Sequence, residues 1–117
     1  MKKTILIVDD DPVITKYLDS LFKDNGYDTC VATDGKHAFE VYQTEQPDLI
    51  TLDLEMPEAW GPRFFRKISK TKEFDTPVIV ISGLSGQQYS LPKAAANFPK
   101  PFDAEKLIEK VEELLTG

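Results

Sequence analysis

Short apolar runs alternate with stretches of helix length along the whole chain, five times over, and that alternation leaves few architectures open. The runs Thr4–Val8 and Val78–Ile81 are continuous and rich in β-branched residues, the pattern of strands buried on both faces. Tyr27–Val31 is more polar, which predicts a strand nearer an edge. Leu49–Leu52 makes a third run ending at Asp53, and a very short fifth lies around Asn97–Phe98. Between them, Asp11 as N-cap and Pro12 start a helix with Val13, Ile14, Tyr17, Leu18, Leu21 and Phe22 on one face, and Gly26 fits its C-terminal stop. Asp34-Gly35 opens a second helix carrying Ala38, Phe39, Val41 and Tyr42, closed by Pro47. Pro62 fits the first position of a third, before Phe64, Phe65 and Ile68, and Asp103 caps a last one carrying Leu107, Ile108, Val111, Leu114 and Leu115. Strands and crossover helices in this order predict an α/β fold of three layers around a five-stranded parallel sheet.

At 117 residues the chain is one domain's worth, with no linker, repeat or low-complexity tract. A chain of that size buries roughly two-thirds of its unfolded surface, enough for a real core. The 20 acidic and 14 basic residues give a net charge of −6, which argues against a nucleic-acid-binding face. The single cysteine, Cys30, excludes an internal disulfide framework and a multi-cysteine metal site, and it fits a buried strand residue in a reducing cytoplasm. No segment reaches the roughly 18–20 apolar residues of a membrane span. The basic start Met1-Lys2-Lys3 is followed too soon by aspartates to be a signal peptide, so a cytoplasmic location is expected.

In sheets of this kind ligands bind outside the carboxyl ends of the strands. Strand one delivers Asp9-Asp10-Asp11 to that edge, strand three Asp53, strand four Ser82-Gly83 and strand five Lys100-Pro101. Helix capping accounts for Asp11 but leaves Asp9, Asp10 and Asp53 without a structural role. Carboxylates about 4 Å apart repel by roughly 4 kcal/mol at an effective dielectric of 20, so a convergent group needs a cation. An all-oxygen donor set suits Mg²⁺ or Mn²⁺, and Lys100 brings a second positive charge. A carboxylate beside a metal ion, a lysine and a hydroxyl has the parts needed to accept a phosphoryl group.

These residues resemble the receiver (chemotaxis-protein-like) domains of two-component response regulators. The resemblance spans essentially the whole chain and rests on four strings in order: Ile-Leu-Ile-Val-Asp-Asp-Asp-Pro at 5–12, Asp-Leu-Glu-Met-Pro at 53–57, Val-Ile-Val-Ile-Ser-Gly at 78–83 and Lys-Pro-Phe at 100–102. It implies a flavodoxin-like, doubly wound sheet of strand order 2-1-3-4-5. The chain is expected to be a single receiver domain over 1–117 with no output domain in this chain, either a stand-alone receiver or a fragment. The resemblance implies that Asp53 is the phosphoacceptor and that Asp9, Asp10, Asp53 and the backbone carbonyl of Glu55 hold the metal. Ser82 resembles the switch hydroxyl, with Gly83 leaving room beside it, and Lys100 the phosphate-pairing lysine, its bond to Pro101 cis. The implied donor is a histidine kinase or phosphotransfer protein, and the output is altered binding to a downstream protein. Neither nucleic acid nor membrane is implied as a direct partner, and a weak or phosphorylation-dependent dimer is compatible with the family.

Three positions depart from the family pattern. Trp60 stands where an Asp commonly precedes Gly61, and reads either as a partly exposed loop residue or as a lid or partner contact. The segment between Ser82 and Lys100 is about one helical turn short, its helix eroded by Gly83, Gly86 and Pro92. Asn97 occupies the usual site of a switch aromatic, while Phe98 should face the core. His37 is expected to be solvated, and Lys67, Lys70 and Lys72 to form a wet helix face. The remaining readings are a degenerate receiver acting without phosphorylation, an aspartyl-phosphate phosphohydrolase, and a flavodoxin-like flavin binder. The hydrolase would need a second Asp where Glu55 stands and its nucleophile on strand one. The flavin binder would need a phosphate cradle where Asp9-Asp10-Asp11 repel anions.

Overall fold

Side chains alternate across every strand, and the two apolar sets this produces build two separate cores. The computed structural model describes residues 2–71, 74–83 and 93–116. Its strands are β1 (Thr4–Val8), β2 (Asp28–Ala32), β3 (Leu49–Leu52), β4 (Val78–Ser82) and β5 (Ala96–Pro99). Its helices are α1 (Pro12–Asp24), α2 (Gly35–Glu45), α3 (Trp60–Ser69) and α4 (Ala104–Thr116), with a 3-10 turn at Pro57–Ala59 leading into α3. The strands form one parallel sheet in the order β2-β1-β3-β4-β5, as expected.

Ile5 and Ile7 of β1 point to one face and join Leu18 and Phe22 of α1, Ile79 and Ile81 of β4, and Leu107 and Val111 of α4. Leu6 and Val8 point to the other, with Ile50, Leu52, Val78 and Val80, beneath Ala38 of α2 and Phe64, Phe65 and Ile68 of α3. The sheet is thus covered on both sides, and β1, β3 and β4 are buried almost throughout. Polar β2 is an edge strand, as its composition predicts.

Local rules account for the helix boundaries. The Asp11 side chain accepts a hydrogen bond from the Val13 N–H, Pro12 occupies the first turn, and Gly26 takes φ 91° just past α1. Asp34 caps α2 through the His37 N–H. The expected start of α3 at Pro62 is corrected: the helix begins at Trp60, because the preceding 3-10 turn already coils the chain and feeds directly into it. Phe98 is only half-buried, since β5 forms the other edge of the sheet, but it packs against the α1/α4 core. Cys30 is likewise half-buried on edge strand β2, and burial, with the charge of Glu45, pushes its thiol up to about 11. The expected erosion of a helix around Gly86 and Pro92 lies outside the described residues.

Candidate functional site at the carboxyl edge of the sheet

Strand register assembles the site. Val8 pairs with Leu52, so the next residues, Asp9 and Asp53, emerge side by side from the two central strands. The Asp53 N–H donates to the Val8 carbonyl at 2.9 Å and the Asp9 N–H to the Ala32 carbonyl at 3.2 Å, which holds both residues in the sheet while their side chains leave it. Asp9, Asp10 and Asp53 each offer a carboxylate oxygen within 4.8 Å of the other two; Asp9 and Asp53 are buried, and Asp10 is exposed at the rim. Ser82 ends β4, buried, and its carbonyl accepts the Lys100 N–H at 3.0 Å. Past β5 the Lys100–Pro101 peptide is cis.

Lys100 reaches back over this edge. Its Nζ lies 2.8 Å from Asp9 Oδ2 and 3.5 Å from Asp53 Oδ1. Asp9 Oδ1 is engaged by the Asp11 N–H at 2.9 Å, and Asp53 Oδ1 accepts the Glu55 N–H at 3.1 Å. Both contacts of Asp53 therefore fall on Oδ1; among the described residues no hydrogen bond reaches Oδ2. Burial first, then the charge of Asp9, raises Asp53 above the usual carboxylate range, against the Glu55 N–H and Lys100, which lower it; Glu55's charge adds to the rise. Burial alone would lower the Lys100 ammonium, but its hydrogen bond to Asp9 and the charges of Asp9 and Asp53 raise it on balance.

Asp9, Asp10, Asp53, Glu55, Ser82 and Lys100 thus come to one edge, but three details escape sequence reasoning. Lys100 pairs first with Asp9 rather than Asp53. The space beside Gly83 is filled: a Cβ there would lie 2.5 Å from Glu55 Oε1, so the Glu55 carboxylate, and not only its backbone, borders the site. Gly61, the second member of the altered pair, is a packing residue, since a Cβ would meet the Asp53 carbonyl oxygen at 2.5 Å and the Leu54 Cα at 2.8 Å. Motif spacing carries no signal for the first two, because both are rotamer choices. The glycine did offer one, since it lies at the start of a helix that must close on the sheet. Trp60 resolves to neither open alternative alone: its indole is half-buried against Gly35 at the start of α2, on the α2/α3 side of the sheet.

An edge with three converging carboxylates, a lysine and a buried hydroxyl, outside the carboxyl ends of a doubly wound parallel sheet, defines a class. Residues 5–112 match the family model for the response regulator receiver domain, and the chain belongs to that family. Receiver domains are signalling switches, for which phosphorylation and magnesium binding are general features. Among relatives, the chain is 37% identical over 116 residues to Protein Rrf1 of Nitratidesulfovibrio vulgaris (strain Hildenborough), covering 98% of this chain and 84% of that protein. It is 32% identical over 119 residues to Response regulator MprA of Mycolicibacterium vanbaalenii, covering 98% of this chain but 51% of that protein. The Francisella response regulator 1452 receiver domain superposes with a TM-score of 0.87 at 32% identity, over 97% of this chain and 96% of that one. A CheY-like receiver domain protein from Methanospirillum hungatei gives 0.91 at 26% identity, over 99% and 95%. No helix among the described residues is long and apolar enough to cross a membrane.

Proposed function

We propose that this chain is a single phosphoacceptor domain: Asp53 accepts a phosphoryl group from the phosphohistidine of a histidine kinase or phosphotransfer protein, and the product alters binding to a downstream protein. The observation that carries this reading is the convergence of Asp9, Asp10 and Asp53 with Lys100 at one sheet edge. Asp53 Oδ2 is the attacking oxygen, since Oδ1 is occupied by the Glu55 N–H and Lys100. The new bond joins Oδ2 to phosphorus as the phosphorus–nitrogen bond of the donor breaks; the imidazole leaves with the electron pair and takes up a proton from water. Lys100 pairs with the incoming phosphoryl oxygens, which it can do by turning from Asp53 while keeping Asp9. Ser82, at the end of β4, supplies the hydroxyl that bonds the phosphoryl group afterwards.

The donor chemistry fits a hard divalent cation. Asp9, Asp10 and Asp53, with the Glu55 carbonyl, would hold Mg²⁺ (or Mn²⁺), whose charge neutralises the phosphoryl oxygens. A degenerate receiver is not favoured, because none of the acidic residues or the lysine is missing from the edge. Incubation with phosphoramidate and Mg²⁺ followed by intact-mass spectrometry tests the reading. A gain of one phosphoryl group, absent without Mg²⁺ and absent in Asp53→Asn, is expected; equal modification of the Asp53→Asn protein would overturn it.

A further inference from the structure

We propose that the outer face of α3 is a docking surface for an acidic helical segment of a partner protein. From 59 through 71 the chain has no Asp or Glu, yet Arg63, Arg66, Lys67 and Lys70, four of its 14 basic residues, fall within that span. Their spacing of i, i+3, i+4 and i+7 sets them in one stripe along α3 and the turn that follows it, about 10 Å long. All four are exposed, and together they line a shallow groove of about 320 Å³. Among the described residues none of them makes an ion pair with a carboxylate, whereas Lys23, Lys100 and Lys110 each do. A chain of net charge −6 that sets four cations along one helix face, with no carboxylate paired to them among the described residues, has a local positive surplus there.

The stripe is also held in place. The Arg63 guanidinium lies 4.5 Å from the centroid of the Trp60 ring, and its Nη1 donates to the Glu58 carbonyl at 3.4 Å. Lys67 Nζ sits 4.1 Å from the centroid of the Phe39 ring on α2. Stacking on aromatic faces fixes long side chains that would otherwise sweep through solvent, so less order has to be imposed when a partner binds. The departure at Trp60 gains a physical reason from this contact. An Asp at that position would put a carboxylate beside Arg63, whereas the indole supports the guanidinium and leaves its charge free for an incoming anion.

The dimensions choose the occupant. A duplex-binding face makes some 6–10 phosphate contacts, more than four cations over about 10 Å provide, and the rest of this acidic surface repels a polyanion. An acidic helix with carboxylates at i, i+3, i+4 and i+7 has the same length and period as the stripe, and Arg forks engage carboxylates in pairs.

Fluorescence anisotropy with a labelled helical peptide bearing Glu at that spacing tests the proposal on the whole chain. Saturable binding that weakens as salt rises is expected, together with a loss of at least tenfold in Arg63→Glu/Arg66→Glu and severalfold in Lys67→Gln/Lys70→Gln. All four side chains are exposed, and circular dichroism checks that the variants keep their fold. Lys106→Glu on α4 should bind as the parent does. A scrambled peptide of identical composition should bind at least tenfold more weakly. Equal binding of the scrambled peptide, tighter binding to a 20-base-pair duplex or to phosphatidylserine vesicles, or no binding at millimolar peptide would each overturn the proposal. None of these measurements involves phosphorylation, so the result stands apart from the role of Asp53.

Discussion

Burial and the neighbouring charge of Asp9 both resist ionisation of Asp53, and Lys100 only partly offsets them. A carboxyl group whose pKa is raised by folding binds its proton more tightly in the folded state than in the unfolded one. The ionised form therefore costs folding free energy at every pH above the raised value, and the cost fades as the pH falls below the ordinary carboxylate range near 3.9. Lys100 has the opposite sign: its raised pKa contributes stability that is complete below about 10.5 and is lost as pH rises through the higher folded value. Asp53→Asn should consequently stabilise the metal-free protein at pH 7, by about 4 °C in Tm if the relief is ~1 kcal/mol. The gain should shrink toward zero in melts at pH 4 and below. A variant that melts lower than the parent at pH 7 would mean that the contacts of Asp53 outweigh its repulsion. The acidic cluster itself was readable from the strand ends, because capping could not employ so many carboxylates. The Glu55 side chain against Gly83 was not, because it depends on a rotamer and not on a spacing.

At the scale of elements, α3 is where sequence and structure diverge most. Pro62 is a good first-turn residue, but the chain is already coiled at Pro57–Ala59, with Glu58 at φ 60°, and Trp60 continues straight into the helix. A single-residue preference cannot register that a 3-10 turn and a helix fuse. What allows the fusion is Gly61, which brings the first turn of α3 against the backbone that follows β3. The atoms a Cβ would strike there are backbone atoms of Asp53 and Leu54, which cannot rotate away. Gly61→Ala should therefore destabilise the protein by about 1–3 kcal/mol, the usual cost of overpacking. Urea unfolding would register this as a lower midpoint with an unchanged slope. An unaltered midpoint would show that α3 can retreat from the site at no cost. Edge strand β2 was legible for a simpler reason: it carries polar residues because half of its environment is water.

Across the whole molecule, the doubly wound topology turns one-dimensional alternation into a site. Parallel strands all end at the same edge, so residues 9, 53, 82 and 100, far apart in sequence, meet without a loop having to carry them there. That is why strand order, core and most of the candidate site could be read from the chain. The basic face of α3 could not, because charges at i, i+3, i+4 and i+7 look like any wet helix until ion pairing and ring stacking are visible. The proposed switch rests on one chemical event, the conversion of a single carboxylate at this edge, Asp53, into an acyl phosphate. Borohydride reduces an acyl phosphate to an alcohol and so converts a phosphorylated aspartate into homoserine, which peptide mass spectrometry can locate. After treatment with phosphoramidate and Mg²⁺, homoserine is predicted at residue 53 and nowhere else, and none is predicted when Mg²⁺ is withheld. Homoserine at Asp9 or Asp10, or an unmodified Asp53 in a sample that has gained a phosphoryl group, would contradict it.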